Sequence, residues 1–142
     1  MIRRRPRARR DDEGSILPLT IGYALIALAL ILVCADATSL YLAQKRLDSL
    51  ADAAALAGSD GFTLVADGDH PIARLSSQGV REQASALVAQ LAPSAELVAA
   101  SSPDGVSARV EVSDRWHPPV ITVFVPDGIT LHAVATSRTA LE

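Results

Sequence analysis

Residues Gly14 to Ala35 form 22 consecutive positions without a charged side chain, and this stretch constrains the fold more than any other feature of the chain. A helix of that length rises about 33 Å, enough to cross a hydrocarbon core about 30 Å thick. Positions 15–35 hold eleven Ile, Leu or Val residues. Their insertion free energies sum to about −3 to −7 kcal/mol, which outweighs the polar cost of Thr20. A buried core helix would be shorter and interrupted by polar positions. The stretch therefore reads as a transmembrane helix.

Six arginines, Arg3, Arg4, Arg5, Arg7, Arg9 and Arg10, stand immediately before the span, separated from it by Asp11, Asp12 and Glu13. Orientation follows Lys and Arg and largely ignores acids, so the N-terminus is expected in the cytoplasm and everything after about Ala43 outside. The span accounts for the basic cluster, so no nucleic-acid partner is expected. Residues 15–142 carry seven Lys+Arg against thirteen Asp+Glu, an acidic balance that keeps an exported domain soluble and disfavours polyanions. The lipid bilayer is the first partner the sequence implies.

A cleaved secretory signal is the competing reading, with Ala35-Asp36-Ala37 as its cleavage region. The apolar stretch exceeds the usual h-region, and the helical pattern runs straight through the supposed cleavage site. Cys34 is the only cysteine, so the exported part has no internal disulfide and must be held by packing. Ile31-Leu32-Val33-Cys34 faintly resembles a lipobox, but Val33 fits poorly where a small residue is usual. Cys34 reads as a buried, inert thiol.

Beyond the span, Leu40, Ala43, Leu47, Leu50, Ala51, Ala54 and Ala57 recur at intervals of three and four, the spacing of one helical face. Lys45 and Asp48 form an i,i+3 pair on another face. Gly58-Ser59-Asp60-Gly61 is a natural stop. One helix over 15–58 is expected, its alanine-rich exported half open to close approach by partners. Residues 59–75 read as a loop. Within it, Asp67, Asp69 and His70 suggest metal ligation, but the EF-hand spacing would place an acid where Gln78 stands, so no metal is expected.

A second helix is expected over 77–91, with Val80, Ala84, Leu87, Val88 and Leu91 on one stripe, ending before Pro93. The period then changes to two. Strands are expected at 96–100, 106–113, 120–125 and 129–137, with Pro-Asp-Gly turns at 103–105 and 126–128. Val106, Ala108, Val110 and Val112 should form a dry face, as should Ile129, Leu131, Ala133 and Ala135. The expected architecture is α+β: a four-stranded antiparallel meander whose dry face is covered by helix 77–91, with the distal half of the long helix as a second candidate. The domains are a basic leader at 1–14, the helix at 15–58 and an exported head at 59–142.

No catalytic constellation is visible. His70 falls in the loop, His117 beside Pro118-Pro119, and His132 on a strand's polar face, without metal-ligand spacing. G-x-S-x-G, P-loop and dinucleotide patterns are absent. The chain therefore reads as a non-enzyme without cofactors. Trp116 is expected to pack at a hairpin connection, with a partner-binding aromatic as the alternative. Asp36 leaves two readings open. It marks the membrane interface with Tyr41 nearby as an aromatic anchor, or it pairs inside a subunit bundle with a neighbour's basic group or free amine.

The stretch from Gly14 to Gly58 resembles the N-terminal module of TadE/TadG-like Flp pilus-assembly proteins, within the wider type IV pilin superfamily. Asp36, the Tyr41-Leu42-Ala43 segment, and Leu47 leading into Ala51-Asp52-Ala53-Ala54-Ala55-Leu56-Ala57 carry that resemblance. It implies a minor pilin or pseudopilin, partnered through its long helix with other pilin-like or Tad-type assembly proteins. It also implies prepilin-peptidase processing between Gly14 and Ser15. Leu19 stands where TadE-type pseudopilins carry a glutamate that meets a neighbour's amine, which points to a bilayer-anchored accessory rather than the main filament subunit. The alternative function is a single-pass anchored extracytoplasmic binding domain unrelated to a filament.

Overall fold

A computed structural model describes residues 16–67 and 70–138, without the side chains of 66, 67 and 70–73. The basic leader, Gly14, Ser15, Asp69 and the side chains of Asp67 and His70 lie outside the described residues.

Helix α1 (Ile16–Ser59) runs unbroken for 44 residues, about 66 Å, joining the expected span to the expected amphipathic segment. It is followed by β1 (Phe62–Asp67), β2 (His70–Leu75), α2 (Ser77–Leu91), β3 (Glu96–Ser101), β4 (Ser107–Trp116) and β5 (Ile129–Arg138). Ser76 caps α2, its hydroxyl accepting from the Gly79 N–H at 3.0 Å. Strands β3, β4 and β5 form an antiparallel meander in that order, with an irregularity in β3 between Leu97 and Ala99. The long helix with a second helix and antiparallel sheets is the α+β arrangement expected.

The core forms where both helices cover one sheet face. Leu47, Leu50, Ala51, Ala54 and Ala55 of α1 meet Val80, Ala84 and Val88 of α2 above Ala108, Val110 and Val112 of β4 and Ala133 and Ala135 of β5. The period-two pattern of β4 and β5 thus reports a real dry face at Ala108, Val110, Val112, Ala133 and Ala135, where small residues let the helix lie close, whereas Val106 and Ile129, expected on it, are exposed. Backbones also approach closely at the base of α2, where a Cβ on Gly79 would fall 2.6 Å from the Gly61 carbonyl oxygen.

Three expectations are corrected. Residues 59–75 are not a loop, because β1 and β2 pair antiparallel from Phe62↔Leu75 to Asp67↔His70. The β-forming run Phe62-Thr63-Leu64-Val65 makes a hairpin despite the turn-forming Gly, Asp and Ser around it, because it finds a partner strand in 70–75. Residues 120–125 are not a strand but a chain of turns. Strand β4 extends to Trp116 and pairs directly with β5 through Trp116↔Ile129, so 117–128 becomes the connection. Pro118 and Pro119 also lack the N–H a ladder requires. The meander therefore has three strands rather than four, and its cover is shared: α1 lies against β4 and β5, α2 mainly against β3.

Candidate membrane and assembly interface

The first twenty residues of α1 stand clear of the rest of the molecule. None of the most apolar window is buried, and this is the one helix among the described residues long and apolar enough to cross a membrane. Ile16, Leu17, Leu25, Ile26, Leu30, Ile31 and Val33 are exposed, as is Cys34, a free thiol on the helix surface rather than the buried one expected. In water such a surface would be unstable; against acyl chains it is at equilibrium.

The alanine-rich half is placed differently. Ala51, Ala54 and Ala55 are buried against the protein's own sheet and α2. Close approach is used inside the subunit, which leaves the apolar half of α1 as the surface open to neighbouring helices.

Three side-chain hydrogen bonds fasten the middle of α1 to the head. Asp36 is 8% exposed, and its Oδ1 accepts from the Val120 N–H at 3.1 Å. Ser39 Oγ accepts from Trp116 Nε1 at 3.1 Å. Gln44 Nε2 donates to the His132 carbonyl at 3.0 Å and to Asp48 Oδ1 at 2.9 Å. A carboxylate at the end of a span needs a partner, and here the partner is a backbone amide of the same chain.

Around this seam lie the groups expected at a membrane boundary. Tyr41 is exposed, and Lys45 Nζ sits 5.9 Å from its ring centroid. Lys45 also pairs with Asp48 at 3.1 Å, the i,i+3 contact anticipated. That carboxylate raises the pKa of Lys45. The Gln44 amide, and then the Lys45 ammonium, lower that of Asp48.

Beside the seam, a groove of about 560 Å³ runs between α1, the end of α2 and the end of β4. Leu47, Leu50, Leu91, Leu131 and Trp116 supply its apolar wall, and Arg46 and Arg115 its charged rim. Trp116 therefore both packs at the β4–β5 connection and lines an open groove.

Other residues singled out in the sequence lie apart. His117 is exposed next to buried Pro118. His132 Nδ1 lies 3.5 Å from Glu111 across the wet sheet face. Among the described residues no group of three or more His, Cys, Asp or Glu is placed to hold a metal. Sequence reasoning missed the bonds from α1 to Trp116 and Val120. The available signal was the charge-free run from His117 to Pro126, which is long for an exposed connection.

At the opposite end of the head, Asp104 of the first Pro-Asp-Gly turn accepts from the Ser107 N–H at 2.6 Å, the Val106 N–H at 3.0 Å and the Ser107 hydroxyl at 2.7 Å. These donors, the Ser107 amide first, hold its pKa down at about 2. The glycines of both Pro-Asp-Gly turns have positive φ, 74° at Gly105 and 68° at Gly128, where glycine is favoured.

No curated protein and no solved structure matches the chain. Residues 14–68 match the family described as "Putative Flp pilus-assembly TadE/G-like". The match takes in all of α1 and all of β1, and supports involvement in pilus assembly of the Tad type. Residues 14–68, less than half of the chain, are thus similar to the TadE/G-like Flp pilus-assembly family, and α2 and the β3–β5 meander lie outside the match.

Proposed function

We propose that this protein is a membrane-anchored minor pilin or pseudopilin-like accessory subunit of a Tad-type pilus or secretion apparatus. The observation that carries the reading is the coincidence of the family match with α1, whose proximal half is apolar on every side and unburied. The arginine cluster sets the N-terminus in the cytoplasm and the head outside. With its alanine face committed to its own sheet, the subunit meets neighbouring pilin-like helices through the span. The role is structural and uses no catalytic residue or cofactor.

Processing between Gly14 and Ser15 would remove the basic cluster and leave a free amine at the cytoplasmic end of the helix. Leu19 offers that amine no charge. Asp36 lies 21 residues beyond Ser15, about 30 Å along the helix, and is bonded to the head. The chain is therefore an accessory retained in the bilayer rather than the main filament subunit.

An alkaline phosphatase fusion at the C-terminus should be active, and an inactive fusion overturns the orientation. Crosslinking in membranes should capture other pilus-assembly components on positions 20–30. Mass spectrometry of sheared pili should find this chain as a minor species or not at all, and its dominance there would defeat the accessory role. The groove beside Trp116 favours a second reading, an anchored domain that binds an extended apolar segment outside any filament. Crosslinks from position 91 to a non-Tad protein, with none from the span, would select it.

A further inference from the structure

We propose that the β4–β5 connection is a second membrane contact, inserting Val123 and Phe124 into the leaflet at the Asp36 end of the span. This rests on the anchoring proposed above.

The argument begins with exposure. Val123 is 87% and Phe124 84% exposed, and Val120 and Ile121 are exposed beside them. Two adjacent, nearly bare large apolar side chains at the tip of a connection have no role in the core. The run from His117 to Pro126 contains no Asp, Glu, Lys or Arg.

Position identifies the occupant. Contacts between α1 and the β4 arm run in opposite directions along the chain: a Cβ on Gly58 would lie 3.4 Å from that of Ala108, Ser39 bonds Trp116, and Asp36 bonds Val120. Following β4 toward its end therefore means descending α1 toward the span, and residues 121–124 continue past Asp36's partner. Asp36 is the first charged residue after the apolar run, so the tip lies level with the start of the lipid-facing surface. On the same helix face one turn earlier, Leu32 is 37% exposed, against 64% for both Ile31 and Val33. Exposed Tyr41 and half-buried Trp116 stand just above, the residue types enriched at a membrane interface.

Backbone chemistry limits the insertion to the side chains, with the tip's backbone held at headgroup depth. Lipid accepts irregular chain only where its polar groups are satisfied, and the N–H groups of Ile121, Thr122 and Val123 have no partner within the described residues and so need the water of that layer, whereas the others are bonded. The Val120 N–H is bonded to Asp36, the Phe124 N–H to the Ile121 carbonyl at 2.9 Å, the Val125 N–H to the Ile121 and Thr122 carbonyls, and the Gly128 N–H to the Val125 carbonyl. The Thr122 hydroxyl donates to the Pro118 carbonyl. Asp36 thus ties the tip to the level of the membrane surface, and with α1 the wedge makes a two-point attachment that fixes the tilt of the head.

Depth measurement on the full chain tests this. Cys34→Ala removes the native thiol, and an environment-sensitive fluorophore is placed through Phe124→Cys, Ile26→Cys or Asp60→Cys in phosphatidylcholine/phosphatidylglycerol vesicles. Position 60 lies about 36 Å beyond Asp36 along the helix and serves as the aqueous reference. Lipids spin-labelled near the headgroup should quench position 124 several-fold more than position 60. Lipids labelled deep in the chain should quench position 26. Position 26 quenched with 124 no different from 60 overturns the wedge and leaves the anchor, and it is the result expected if a protein partner covers the tip instead. Position 26 unquenched defeats the anchor and the wedge together. In the unsubstituted chain, emission from Trp116, the single tryptophan, should fall with shallow-brominated lipid, and unchanged emission also overturns the wedge.

Discussion

Asp36 occupies a place where an unpartnered carboxylate would be costly, at the end of a twenty-residue apolar helix, and it is held there by the Val120 N–H. Asp36→Ala leaves that amide without its acceptor and should destabilise the connection by about 1–3 kcal/mol. Hydrogen exchange in micelles should show faster exchange across residues 120–125, with Asn at this position restoring part of the protection. Unchanged exchange would mean that the connection does not depend on Asp36. Asp104 acts at the far turn through protonation. Its pKa is held below the ordinary 3.8, at about 2, so its contribution is complete above the unfolded value and is lost as pH falls through the folded one. The unfolding midpoint of the head should therefore drop between about pH 4 and pH 2. Asp104→Asn should flatten that step, and an unaltered slope would show that Asp104 does not carry it.

At the scale of elements, the sheet is stable because its period-two pattern meets helices on one side only. Val110 is fully buried at the centre of β4, flanked by Ala100 of β3 and Ala135 of β5 in the register. Val110→Asp should cost several kcal/mol by burying a charge without a partner, and a change within about 0.5 kcal/mol in chemical denaturation would show that the face is wet. Here the residues of β4 and β5 were legible in the sequence, since Ala108, Val110, Val112, Ala133 and Ala135 alternate as a half-buried strand must. Residues 120–125 were not, because β propensity describes fitness for a pleated surface and not the presence of a partner edge. β4 has two edges, and β3 and β5 occupy both.

The whole molecule is organised around one helix that serves two solvents. Its first half presents an unburied surface apolar enough for lipid, and its second half supplies one wall of the head's core. A fragment of residues 36–138 should therefore fold as a soluble domain with all three bonds to α1 intact. A fragment of residues 60–138 should lack near-UV signal and expose the apolar face of the sheet. A cooperative transition of similar midpoint in the shorter fragment would show that α1 is dispensable to the core. The same arrangement bears on assembly, since a helix locked to its own head at Asp36, Ser39 and Gln44 cannot slide past it. Movement in the membrane then carries the head as a unit.

Local chemistry determined the membrane span, the continuous helix, the Pro-Asp-Gly turns, helix α2 and the alternating faces of β4 and β5. Each follows from periodicity or charge within a few residues, and so can be read along the chain. Tertiary structure alone decided what the alanine face packs against, which strands pair, and where the apolar connection lies. Those outcomes depend on competition between distant segments for the same edges and faces. Val120 finds Asp36, and Trp116 finds Ser39, across about eighty residues, and no local pattern encodes a meeting at that separation.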